Sequence, residues 1–230
     1  MLILAFESSG KAASVALLKD GAIADEIFQQ SGVTHSETLL PMAAEMLERN
    51  GIKVADLDLI ACAYGPGSFT GIRIGVATVK GLSWAAEKKC IGISTAEAMA
   101  YLFKDKTCTV CTVQDARRSQ VYNALFDIRD GTVTRLCPDR ALAIEELADE
   151  LKKSGIKPVL TGDGSYITAE AFDNLGVEYT LAPEELVYPR ASGVALAADG
   201  REGYSSQELL PVYLRLSQAE RERQAKLNLK

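Results

Sequence analysis

YGPGSFTGIRIGVATVKGLSWA, residues 64–85, carries a strand (57–63) into a glycine-rich turn, and the turn runs straight into a helix. Gly71 and Gly75 are four apart, as are Ala77, Gly81 and Ala85. Two rows of minimal side chains therefore lie along one helix. Glycine costs about 1 kcal/mol relative to alanine inside a helix, so three in one helix call for a reason. Close approach of another backbone supplies one. The stretch is either a phosphate cradle or a helix against which something packs tightly.

The chain has 230 residues, enough for one large domain or two small ones with a sizeable core. Its net charge of −6 argues against binding nucleic acid through broad electrostatics alone. The opening MLILAFE has no basic region ahead of a short apolar run, and no stretch approaches the ~20 apolar residues of a membrane span. No membrane association and a cytoplasmic location are the expectations. Five cysteines, an odd count, indicate reduced thiols rather than a disulfide framework. Cys108 and Cys111 form a CxxC, but on a strand residues i and i+3 point to opposite faces. With no second CxxC, core packing is expected there rather than metal.

Outward from the opening stretch, the first half reads strand, strand, strand, helix, strand, helix. Residues 2–6 and 14–18 are strands, Asp20-Gly21 is a hairpin turn, and Ala22–Gln29 is a third strand. A helix follows over 36–50 and ends at Asn50-Gly51. The second half repeats the order: strands 108–113 and 120–127, the hairpin Asp130-Gly131, strand 132–136, helix 144–153, strand 159–160 and helix 166–174. Asp20 and Asp130 lie 110 positions apart, Gly155-Ile156-Lys157 echoes Gly51-Ile52-Lys53, and Gly162-Asp163-Gly164 echoes Gly65-Pro66-Gly67. This is a duplicated α/β chain of two βββαβα lobes, expected at 1–103 and 104–215, with a charged tail at 216–230. Such lobes around a cleft resemble the actin, sugar-kinase and Hsp70 ATPase superfamily. In that fold the turn after the first strand of each lobe faces the nucleotide phosphates. Fold by itself does not set function.

Several chemistries can be weighed on the residues. Gly65-Pro66-Gly67-Ser68-Phe69-Thr70 falls short of a dinucleotide fingerprint, follows the fourth strand rather than the first, and loses an N–H at Pro66. A Walker A loop is absent. Glu7, Ser8 and Ser9 in the first turn, with Asp115 in the matching second turn, are candidates for a residual nucleotide site; a turn satisfied by its own serines is the equal alternative. Arg117 and Arg118 read as a solvated turn. The only histidine, His35, stands beside Ser36 at a helix start, which leaves no two-histidine metal centre or HExxH site and suits a cap or an interface.

Helix 36–50 is apolar over more than one stripe. Leu39, Met42/Ala43 and Met46 make one face, and Leu40, Ala44 and Leu47 a second. One face can cover the sheet; the other has no evident partner in its lobe. With the small-residue rows of the next helix, this points to a helix-bundle interface with another subunit. The bland alternative places both helices at the centre of a large domain.

The strings LAFESSGKAASVAL, THSETLLPMAAEML, YGPGSFTGIRIGVATVKGLSWA, GISTAEAMA, QDARRSQVY, LTGDGS and PVYLR together closely resemble the TsaB (YeaZ) family, over residues 2 to about 215. The resemblance implies an actin-like two-lobe fold and a non-catalytic relative of TsaD, the metal-bearing subunit that transfers a threonylcarbamoyl group to an adenosine of tRNA. It implies a homodimer through the first-lobe helices, in competition with TsaD for the same surface, joined by the ATPase TsaE, with tRNA touched only indirectly. The expected interface is His35, Leu39, Met42, Ala43 and Met46 on one helix with Phe69, Gly71, Ile72, Gly75 and Val79 at the next; the glycines are read as clearance for a partner's helix. No cofactor is required on this reading, ATP or ADP entering with the complex. Catalytic relatives carry paired histidines where this chain has STAEAMA at 94–100. An actin-like kinase or ATPase, and a peptidase acting on its partner, are the alternative activities.

Overall fold

A computed structural model describes residues 1–30, 32 and 34–215; the charged segment expected as a tail, 216–230, lies outside the described residues. The first sheet has the order β3-β2-β1-β4-β5. Its strands are β1 (Leu2–Glu7), β2 (Ala13–Lys19), β3 (Ala22–Gln29), β4 (Leu59–Gly65) and β5 (Cys90–Ser94). β1, β2 and β3 are antiparallel, while β4 and β5 run parallel to β1 and β4. Asp20 and Gly21 close the β2–β3 hairpin with φ of 51° and 82°, the paired positive φ of a type I′ turn.

The apolar runs of β1 and β4 are continuous because both faces of the sheet are covered. Leu4, Phe6, Val15, Leu17, Ile60 and Cys62 face α1 (His35–Arg49) and α2 (Phe69–Ala85). Ile3, Ala5, Ala16, Leu18, Leu59, Ala61 and Ala63 face the other way, onto α6 (Ala191–Ala198).

The second sheet repeats the first. Its order β11-β10-β6-β7-β8 corresponds strand for strand to β5-β4-β1-β2-β3. The strands are β6 (Cys108–Asp115), β7 (Gln120–Arg129), β8 (Thr132–Arg135), β10 (Val159–Thr161) and β11 (Thr180–Leu181). Asp130 and Gly131, with φ of 49° and 74°, reproduce the hairpin turn. α4 (Ile144–Ser154) and α5 (Ser165–Leu175) cover one face through Leu147, Leu151 and Phe172. β9 (Arg140–Ala143) is an addition that lies outside the repeat, pairing with the half of β7 that the short β8 leaves open. Among the described residues no helix is long and apolar enough to cross a membrane.

One expected boundary is corrected. The second lobe does not keep residues 191–215. α6 leaves it and packs on β1 and β2, with seven of its eight residues buried. Reciprocally α3 (Thr95–Tyr101), which ends the first half, reaches β6 and β7 of the second sheet and also touches α6. A Cβ on Gly193 would overlap the Ala98 carbonyl oxygen, so the α3–α6 crossing depends on the small residues of both helices. The N-terminus of α6 is held by the first lobe. Ala191 N–H donates to Ser14 Oγ at 3.1 Å, and Ser192 N–H to Glu26 Oε1 at 2.9 Å. Glu26 also pairs with Arg190 at 3.2 Å.

Candidate functional site

The glycines of α2 have a partner inside the chain. A Cβ on Gly71 would overlap the Ser8 carbonyl oxygen, and one on Gly75 would lie 2.5 Å from Ser8 Oγ. Ser8 Oγ in turn donates to Gly71 O at 2.9 Å. These glycines let α2 seat against the β1–β2 turn, which corrects the expectation that they clear a partner's helix. Gly81 is different: it is exposed, with nothing within 4 Å of its Cβ position.

The expected interface is corrected in the same sense. Leu39, Met42, Ala43 and Met46 of α1, and Ile72 and Val79 of α2, are core residues of the first lobe. Leu39 is 1% exposed and Val79 0%, so neither offers area to a partner. His35 is half-buried and its Nε2–H donates to Gly10 O at 2.9 Å, tying α1 to the β1–β2 turn. Gly10 offers only a carbonyl, which fixes that ring nitrogen as the donor. Phe69 is half-buried under Tyr213, ring centroids 4.5 Å apart. Of the other apolar stripe of α1, Leu40 and Ala44 face outward while Leu47 is buried in the first core; on α2, Ala77, Gly81 and Trp84 face outward. Leu40 is 49% and Trp84 77% exposed, high values for large apolar side chains. The two stripes of α1 were visible in the sequence; which of them the sheet takes was not.

The second candidate is the cleft between the lobes. The β1–β2, β4–α2, β6–β7 and β10–α5 turns surround a cavity of about 360 Å³. Lys11, Arg117 and Arg215 supply cationic walls, and Asp115 and Asp163 acidic ones. Of the nucleotide candidates only Ser9 and Asp115 line this cavity; Ser8 turns to α2, and Glu7 lies beneath the turn. Glu7 is completely buried and accepts the Ser9 N–H through Oε1, with Oε2 unpartnered. Burial pushes its pKa up to about 7. Asp163 accepts the Asp115 N–H at 3.0 Å, and Asp115 accepts that of Arg117 at 2.7 Å. Burial raises Asp163 above the usual carboxylate range. Arg117, Arg118 and Ser119 follow in left-handed conformation with φ of 68°, 59° and 55°. Non-glycine residues rarely do this in succession. It turns β6 back into β7 within four residues.

Among the described residues no group of three or more His, Cys, Asp or Glu side chains is placed to hold a metal. Cys111 packs in the second core and Cys108 is half-buried, both as free thiols. The cleft's remaining wall, Val212 to Arg215, was missed in sequence because PVYLR carries no strand or helix pattern.

Comparison with known proteins agrees with this duplicated architecture. Residues 26–197, about three quarters of the chain, match the family described as TsaD, tRNA N6-adenosine threonylcarbamoyltransferase. The chain thus has a transferase-family domain of the actin-like ATPase fold. It is 31% identical over 225 residues to the tRNA threonylcarbamoyladenosine biosynthesis protein TsaB of Escherichia coli (strain K12), covering 94% of this chain and 95% of that protein. To the TsaB of Bacillus subtilis (strain 168) it is 28% identical over 221 residues, 96% of each. YeaZ from Pseudomonas aeruginosa superimposes with a TM-score of 0.77 at 27% identity, covering 93% of this chain and 99% of that one. Within that fold, the chain belongs to the TsaB (YeaZ) family.

Proposed function

We propose that this chain serves tRNA threonylcarbamoyladenosine biosynthesis as a scaffold and activator. In this reading it docks the outer face of α1 and α2 on a TsaD-like catalytic subunit, and on a second copy of itself when alone. The observation that carries the reading is the exposure of the apolar and small residues Leu40, Ala44, Ala77, Gly81 and Trp84 on two helices that pack against each other. The flanks favour pairing with a like surface. α1 shows Glu37, Glu45 and Glu48 outward, and α2 shows Arg73. In a two-fold pair the acidic helix of one copy can lie against the basic helix of the other. A relative with the same helix pair can replace the second copy, and the match to the TsaD family makes the catalytic subunit such a relative.

The chain itself supplies no transfer chemistry in this reading: its one histidine is bonded to Gly10 O, and the cleft carboxylates accept backbone N–H groups. A TsaE-like ATPase joins the pair, and tRNA is met through the catalytic subunit. The test is reconstitution with the organism's TsaD, TsaE, upstream synthetase and tRNA. Modification should require this chain and fail with Leu40→Asp. Equal modification without the chain would overturn the proposal. A second reading, nucleotide phosphates in the cleft, is favoured by Lys11, Arg117 and Arg215 on its walls. Calorimetry with ATP and Mg²⁺ on the isolated chain decides it: heat of binding lost in Lys11→Ala supports it, and no heat removes it.

A further inference from the structure

We propose that residues 204–215 form a latched strap that sets the width of the inter-lobe cleft, and that its latch is the Arg73–Phe69–Tyr213 cluster on the first turns of α2. The strap begins at the far edge of the first sheet, where Tyr204 exchanges backbone hydrogen bonds of 2.9 and 3.0 Å with Cys90. Leu209 is fully buried in the first core, and Lys80 Nζ holds the Leu209 carbonyl at 3.0 Å. Val212 N–H then donates to Tyr64 O at 2.8 Å, where the lack of a side chain on Gly65 admits the strap's backbone.

Beyond Val212 the bonding changes character. Tyr213 stacks on Phe69, and Arg73 lies 3.9 Å over the Phe69 ring while its Nε–H donates to Tyr213 Oη at 2.8 Å. Two residues on, the Arg215 guanidinium donates to the Ala116 carbonyl in the β6–β7 turn. The last four residues of the strap line the cavity. Among the described residues Arg215 therefore makes the strap's one hydrogen bond to the second-lobe wall, and the stack at Tyr213 sets where Arg215 can reach. The latch is exposed, unlike the Leu209 anchor: Arg73 faces solvent and Tyr213 is 37% exposed.

Arg73 also heads the row Arg73, Ala77, Gly81, Trp84, which lies along one face of α2 at helical spacing. A docked partner that places a carboxylate opposite Arg73 competes with Tyr213 Oη for the same N–H and frees the strap's end. This last step rests on the docking surface proposed above; the latch itself does not.

Hydrogen exchange on the full chain separates the two. In the free chain, Tyr213→Ala should raise exchange of the Val212 amide and of the Ala116 and Gln120 amides in the cleft turn by roughly tenfold. Tyr213→Phe, which keeps the stack and loses only the hydroxyl, should raise them about threefold. Amides of β1 and β4 should be unchanged in both. Unchanged exchange, loosening of the strap with the cleft turn unaffected, or loosening that spreads evenly to β1 and β4 each overturns the latch. With the organism's TsaD added, a complex in which strap exchange rises supports the coupling, and a complex with strap exchange unaltered overturns it. Failure to form any complex overturns the docking surface instead, leaving the free-chain result to stand.

Discussion

Replacing Gly71 by alanine is expected to destabilise the fold, whereas the same change at Gly81, ten residues further along α2, is expected to stabilise it. Both substitutions gain about 1 kcal/mol of helix propensity. At Gly81 nothing opposes the gain, because the new methyl meets open space. At Gly71 the methyl overlaps the Ser8 carbonyl oxygen, a backbone atom pinned between β1 and the Ser8 Oγ to Gly71 O hydrogen bond. Overpacking of this kind costs about 1–3 kcal/mol, and a displaced buried hydrogen bond adds about 1 kcal/mol. The net loss is about 1–3 kcal/mol. At about 2–4 °C per kcal/mol for a chain of this size, Gly71→Ala should melt about 2–12 °C lower and Gly81→Ala a few degrees higher. Thermal unfolding followed by circular dichroism reads both. If Gly71→Ala melts at or above the parent while losing association, the glycine row clears a partner's helix and the self-packing argument is wrong.

Burial holds Glu7 near 7 against an ordinary value of 4.5, so between those pH values the unfolded state binds fewer protons than the folded one. Stability contributed by the neutral carboxyl is then fully present below pH 4.5 and lost as pH rises through 7, up to about 3 kcal/mol. Glu7→Gln should flatten that part of the profile and be more stable than the parent at pH 8; parallel profiles in denaturant titrations would refute it. Glu26→Ala removes the acceptor for Ser192 N–H, Ser14 Oγ and Arg190, and should cost about 2 kcal/mol in the same titration. Burial pushes the Cys111 thiol up to about 12 and Cys62 higher still. Maleimide labelling of the native protein should therefore spare both and reach them only in denaturant.

The duplication was legible in the sequence because the turn residues repeat: Asp20-Gly21 and Asp130-Gly131 each demand the same positive φ pair, and they frame the same order of elements. α6 escaped because ASGVALAA is apolar on all sides, so no periodicity announces a helix. β9 and β11 have four and two residues, too few for alternation to register. The site was read less completely. α1 displayed both of its stripes, but the choice between Leu39 and Leu40 is made by the sheet beneath, which a linear pattern does not contain. Ser9 and Asp115 were placed at the cleft by the repeat, while Glu7 belongs under it because its side chain bends back to the Ser9 N–H. The strap's contacts span over a hundred residues, as between Arg73 and Tyr213, and nothing local in the sequence encodes them.

The measurement that bears hardest on the docking surface is the mass of the complex by light scattering, comparing a variant of the outward stripe with one of the inward stripe. Leu40→Asp should melt within a few degrees of the parent and elute as a monomer, alone and with the organism's TsaD. Leu39→Ala, in the core at 1% exposure, should lose about 2–5 kcal/mol of stability yet still form the complex in its folded fraction. A full-mass complex with Leu40→Asp would contradict the assignment of the α1–α2 face.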